Sequence, residues 1–178
     1  MSDAKKRHAK HQPPHPPVAA PVTATPKTGG PPWPPLIYVS AIAISIILHS
    51  LYPLPWFGSP MSFILVPIGW LALLAFVALI VTAIRTMRRH KTTINPTAMP
   101  DHLVTDGPFG ISRNPMYLAN TLLLIGVGFV SGITWFVPLA IIAAFVTQKL
   151  AIEKEERWLA EKFGKRYRDY AKRVRRWI

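Results

Sequence analysis

The sequence predicts an all-α integral membrane protein, with about four transmembrane helices and a C-terminal amphipathic helix on the cytoplasmic side. Three observations predict it. Apolar residues make up 50% of the chain, yet they are gathered in runs instead of recurring at the spacing of a soluble core. Two of those runs, 36–54 and 63–84, contain no Lys, Arg, Asp or Glu and are long enough to cross a hydrocarbon layer of ~30 Å. All Lys and Arg fall within 1–27, 85–113 and 149–178, while the connector 52–61 and the turn 131–133 have none.

Taken in order, residues 1–35 are rich in Pro, Lys, His, Thr and Ala and have little to bury, which predicts a disordered or polyproline-like cytoplasmic tail. His8, His11 and His15 in that tail read as solvated, because a flexible segment does not fix metal-ligand geometry. A cleavable signal peptide fits poorly: the first apolar run begins only after the tail, and no small-residue cleavage site follows it. Residues 36–91 supply two transmembrane helices, and 92–178 a third unit of loop, hydrophobic hairpin and C-terminal helix.

The first arm of the hairpin, 116–130, is only about 22 Å long at 1.5 Å per residue, short for a full crossing. Gly126, Gly128 and Gly132 permit close helix approach and a tight reversal, and Pro138 is tolerated where neighbours satisfy the backbone. From 153 to 178, Leu159, Phe163, Tyr167, Tyr170, Val174 and Ile178 recur at steps of three or four, with Lys and Arg on the other side. That stripe predicts an amphipathic helix on the membrane interface, interrupted at Gly164, with its aromatics against membrane or core and not against a ligand.

Net charge of +13 raises the question of nucleic acid, and its distribution answers it. Under the positive-inside rule the basic segments are cytoplasmic and the bare loops outside, which places both termini in the cytoplasm. Attraction to anionic lipid, at about 1 kcal/mol per basic residue near the surface, then accounts for the excess without nucleic acid. The absence of cysteine excludes disulfides, thiolate catalysis and cysteine-ligated metal.

The segment 107–118, Gly-Pro-Phe-Gly-Ile-Ser-Arg-Asn-Pro-Met-Tyr-Leu, places a charged turn against a buried helix. Asn114-Pro115 by itself starts a helix, Asn as N-cap and Pro at the first helical position. Arg113 and Tyr117 flank that start, and a helix N-terminus suits an anionic group. At the far end of the hairpin stands Glu153-Lys154-Glu155-Glu156. An isolated Glu pair reads as solvated ion pairs of little value. Opposite Arg113–Tyr117 across one hairpin it reads as half of a site, a carboxylate for an ammonium and Arg113 or N–H groups for a carboxylate.

This pairing resembles the isoprenylcysteine carboxyl methyltransferase and phospholipid methyltransferase superfamily of integral-membrane enzymes, whose hallmark is Arg-His-Pro-x-Tyr, a hydrophobic hairpin, then Glu-Glu. The likeness covers roughly 92–178 and is to the bacterial type, which implies the bacterial inner membrane. It implies S-adenosyl-L-methionine as cofactor, held by Asp101, His102, Leu103, Val104, Phe109, Asn114, Pro115, Met116, Tyr117, Glu155 and Glu156, with Arg113, Tyr117 and Glu155 at the reaction centre and no metal. Two departures bear on the acceptor. Asn114 stands where His is common, so no titratable group is present there. Ala151 lies one turn before Glu155, where prenylcysteine-specific members present an Arg, and Lys149 is the nearest cation.

The expected reaction is methyl transfer to a lipophilic acceptor entering from the bilayer, isoprenylcysteine carboxyl methyltransferase-like, with membrane lipids as surroundings. Methyl transfer is mainly a matter of positioning. A carboxylate acceptor needs no base, whereas an amine must lose a proton, for which Asp101 and His102 are the loop's candidates. The alternatives are a phospholipid N-methyltransferase, a sterol-reductase-like enzyme using NADPH, and a scaffold whose Pro-rich tail binds a partner.

Overall fold

The computed structural model describes residues 33–92 and 102–178; residues 1–32 of the tail read from the sequence and Asp101 lie outside them, and residues 33–35, read as the end of that tail, instead begin the first helix. Among the described residues there is no strand. The helices are α1 (Trp33–Leu51), α2 (Met61–Arg89), α3 (Pro115–Ser131), α4 (Phe136–Thr147), α5 (Glu153–Phe163) and α6 (Lys165–Arg173). A single 3-10 turn, Gly107–Gly110, precedes α3, and a π turn, Gln148–Ile152, joins α4 to α5 without a break.

Three stretches are long and apolar enough to cross a membrane: Pro34–Leu51, Met61–Arg89 and the continuous Phe136–Phe163. α3 has 17 residues, about 25 Å at 1.5 Å per residue, and is a shorter apolar helix than these three. Their outward sides are those of membrane helices, with Val39, Phe63, Trp70, Leu71, Leu74 and Phe145 all exposed.

Packing follows side-chain size. α3 lies between α2 and α4, and α1 packs chiefly on α4. The buried cluster joins Tyr38 and Ala41 of α1, Leu124 of α3, and Phe136, Ala140 and Ala143 of α4. α2 and α3 approach closely. A Cβ on Gly126 would stand 2.9 Å from the Gly69 carbonyl oxygen, and one on Gly69 would stand 2.8 Å from the Phe129 Cβ. Two glycines face each other there because only hydrogen fits between the backbones.

The loops sort to two ends. At one end Trp135 donates its indole N–H to the Tyr52 carbonyl at 2.7 Å, Thr134 donates to the Pro55 carbonyl at 3.2 Å, and Gly132 turns against Trp56. The connector and the hairpin turn, both free of Lys and Arg, therefore share one face. At the other end Arg89 pairs with Asp106 and Arg113 with Glu156, so the charged loop and the C-terminal segment share the opposite face.

The C-terminal helix breaks where the sequence predicts, at Gly164, whose φ of 53° belongs to glycine. The predicted stripe ends sooner than expected. α6 stops at Arg173, Val174 is extended at φ −117° and ψ 128°, and Ile178 is exposed. The residues after α6 leave the helix because their backbone is used elsewhere.

Candidate active site

The loop ahead of α3 is held on three sides. Asp106 accepts from Arg89, with His90 Nε2 at 2.8 Å on its other oxygen, and these two groups, His90 foremost, hold its carboxyl below the usual carboxylate range. Tyr170 of α6 donates its hydroxyl to the Phe109 carbonyl at 2.6 Å, fixing the 3-10 turn. The extended residues after α6 run along Ser112–Asn114: Arg113 N–H donates to the Arg175 carbonyl at 3.0 Å, and the Arg176 carbonyl accepts from Ser112 Oγ at 3.2 Å and Asn114 Nδ2 at 2.9 Å.

Asn114 thus occupies the N-cap position of α3, with Pro115 at the first turn, but its side chain makes no capping bond. The sequence reading of Asn114 as side-chain cap is corrected. The amide is drawn to a carbonyl 62 residues away, and the Asn114 N–H is satisfied by Ser112 Oγ at 3.1 Å.

A cavity of about 100 Å³ opens beside this loop. His102, Leu103, Val104, Phe109 and Arg113 line it, five residues the sequence singled out. Tyr167 and Tyr170, expected against membrane or core, line it as well and are each only 4% exposed. Burial pushes both phenols up, so they stay neutral donors. Met87 and Thr92 at the end of α2 and Leu159 of α5 complete the wall and were not anticipated. Met87 and Thr92 had only their position before the loop as a signal, whereas Leu159 stands on the same predicted stripe as Tyr167 and Tyr170.

Arg113 joins the cavity to the acidic pair. Its Nη1 donates to the Tyr167 hydroxyl at 3.3 Å, its Nη2 lies 3.2 Å from Glu156 Oε1, and its Nε is buried with no partner among the described residues. Glu156, placed with the cofactor by the sequence, is held by a second arginine: Arg176 grips it with Nε on Oε1 at 2.9 Å and Nη2 on Oε2 at 2.7 Å. That fork pushes the Arg176 guanidinium further up from its already high range.

Glu155 points elsewhere. Its Oε1 accepts from the Tyr117 hydroxyl at 2.5 Å, bringing the two ends of the hairpin together. Among the described residues no cation pairs with it. Behind this contact, Tyr38 of α1 shares a hydrogen bond of 2.8 Å with Thr121, and both approach the Tyr117 carbonyl, Tyr38 at 3.2 Å and Thr121 at 3.0 Å. The predicted residues therefore divide into a cavity group and a Tyr117–Glu155 pair, with Arg113 bordering the cavity and Pro115 buried under the helix start. Met116 is half-buried and lines no part of the cavity.

Residues 64–166 match the profile of the phospholipid methyltransferases. The chain belongs to that family. No curated protein and no solved structure matches it. The matched segment runs from α2 through the loop, the hairpin and Glu155 to the start of α6; Tyr167, Tyr170 and Arg176 lie beyond it.

Methyltransferases of this phospholipid methyltransferase kind typically use S-adenosylmethionine, and the site's own features fit such a group. An unpartnered, buried Arg113 Nε offers a donor to a carboxylate, Glu155 offers a carboxylate to an ammonium, and Leu103, Val104, Phe109 and Leu159 offer an apolar wall to an aromatic base.

Proposed function

We propose that this protein transfers a methyl group from S-adenosylmethionine to a lipophilic acceptor at the cytoplasmic face of the membrane. The observation that carries the reading is the cavity lined by His102–Val104, Phe109 and Arg113, inside the family-matched segment that also holds Glu155. When bound, the cofactor supplies a methyl group on a positively charged sulfur. The protein's part is to hold and dry the reactants. Arg113 and Glu155 take the charged ends of the amino-acid portion, and the apolar wall excludes water, which favours joining unlike charges. His102 lines the cavity and is the group within it able to accept a proton from an amine acceptor.

On the acceptor, one observation favours a membrane lipid over prenylcysteine. Ala151 is buried, and Lys149, the nearest cation to the position of the absent Arg, is paired with Glu153 at 2.8 Å with its side chain half exposed. Neither side chain is free to address a second carboxylate.

Purified protein in detergent is expected to bind S-adenosylhomocysteine in calorimetry, and labelled methyl from S-adenosylmethionine is expected to appear in a total lipid extract. Turnover of farnesylcysteine analogues in preference to lipid would overturn the acceptor assignment, label only in water-soluble products would overturn entry from the bilayer, and tight NADPH binding without S-adenosylhomocysteine binding would replace the enzyme class.

The orientation, with the cavity and both termini in the cytoplasm, rests on the segregation of basic residues to one end. Because the chain has no cysteine, single introduced thiols report it cleanly. Gly58→Cys, at a position with open space around it, is expected to react with a membrane-impermeant maleimide in intact cells, and Lys172→Cys only after permeabilisation. Labelling of Lys172→Cys from outside would reverse the topology.

A further inference from the structure

Two arginines meet one carboxylate at the edge of the cavity. Arg176 holds Glu156 with a fork, on both oxygens, while Arg113 reaches only Oε1, and at the longer distance of 3.2 Å. The other nearby acid, Glu153, stands 4.0 Å from Arg176 but is held by Lys149 at 2.8 Å. Lys149 with Glu153 and Arg176 with Glu156 make the two closer pairs, and Arg113 shares Glu156 only through its longer contact. Arg113 lines the cavity, 15% exposed, with its Nε unpartnered; Arg176 does not line it.

We propose that Arg176 is a positioning residue: by occupying Glu156 it keeps the charge of Arg113 available to a carboxylate entering the cavity. The inference rests on the cofactor reading above and deepens it. A bidentate guanidinium–carboxylate pair is stronger than a single contact, so Glu156 prefers the partner that can fork. Remove that partner, and the carboxylate turns wholly to Arg113, whose paired charge then attracts little. The attachment of Arg176 is built for the task. Its carbonyl is clasped by Ser112 and Asn114, on either side of Arg113, and Trp177 donates its indole N–H to Gln148 at 2.9 Å. One short segment therefore carries Arg176 to the loop that carries Arg113, and Asn114 acquires a function that an N-cap does not explain.

The test compares two ligands on the full chain in detergent: S-adenosylhomocysteine, which has an amino-acid carboxylate, and methylthioadenosine, which shares the adenosine and thioether without it. Arg176→Met is expected to weaken S-adenosylhomocysteine at least about tenfold, the scale of one charge-assisted hydrogen bond, and to leave methylthioadenosine unchanged. Adding Glu156→Gln to Arg176→Met is expected to restore S-adenosylhomocysteine binding, because the amide no longer neutralises Arg113. Should Arg176→Met fail to fold, Arg176→Lys keeps a cation without the fork and is expected to show a smaller loss selective for the same ligand. Equal loss of both ligands, unchanged affinity for S-adenosylhomocysteine, or a folded double variant without recovery would each overturn the role of Arg176. Wild-type protein that binds neither ligand overturns the cofactor reading itself, and this inference with it.

Discussion

Glu155→Gln is expected to weaken S-adenosylhomocysteine binding by about 1.5 to 3 kcal/mol, the range for a hydrogen bond to a charged group. The amide keeps the shape of the side chain and can still accept from Tyr117, so the fold is expected to survive. What disappears is a half-buried carboxylate with which no cation pairs among the described residues. Tyr117→Phe is the companion variant. It removes the 2.5 Å hydrogen bond but leaves the charge, and its effect on affinity is expected to be the smaller of the two. Calorimetry on both, with thermal melting as a check on folding, separates charge from hydrogen bonding. Equal affinities for wild type and Glu155→Gln would remove Glu155 from the binding site.

Gly126→Ala is expected to destabilise the bundle by about 1 to 3 kcal/mol, the cost of overpacking a tight interface. The added methyl would sit 2.9 Å from the Gly69 carbonyl oxygen and 2.9 Å from the Leu73 side chain. Leu73 can rotate away, but the carbonyl belongs to a helix backbone and can retreat only if α2 moves. Because the end of α2 supplies Met87 and Thr92 to the cavity wall, the same variant is expected to lose affinity for S-adenosylhomocysteine without touching it. Gly58→Ala, with no atom within 4 Å of the new methyl, is the control and is expected to melt like wild type. A Gly126→Ala protein as stable as wild type would mean that the helices do not approach as closely as described.

How much of this was legible in the sequence depends on the range of the interaction. The long apolar helices, the break at Gly164 and the shortness of the first hairpin arm are local properties of composition and spacing, and all three are found. The cavity loop was legible too, through the segment around Phe109 and Arg113. Asn114 and Glu156 were identified as important without the partner they share in the structure, Arg176, because it lies far along the chain. Nothing local distinguishes an Arg that clasps a loop from one that faces solvent in a basic tail. Tyr167 and Tyr170 posed a related ambiguity: spacing of three marks one face of a helix, but a membrane, a core and a cavity wall all attract an aromatic face. The π turn at 148–152 leaves no mark, since the helical sequence runs through it unbroken.

The length of α2 has a consequence of its own. Twenty-nine residues make a rod of about 43 Å, whereas the hydrocarbon layer is about 30 Å thick. With its uncharged stretch matched to the lipid tails, the surplus turns from Arg85 onward rise past the headgroups, and the cavity rim at Met87 and Thr92 rises with them. A thicker bilayer tends to draw that rim toward the lipid surface and a thinner one to lift it clear, unless tilting absorbs the mismatch. Reconstitution in bilayers of graded acyl-chain length is thus expected to change the turnover of a membrane-borne acceptor more than the affinity for a water-soluble ligand, making membrane thickness a control on the height at which the two reactants meet.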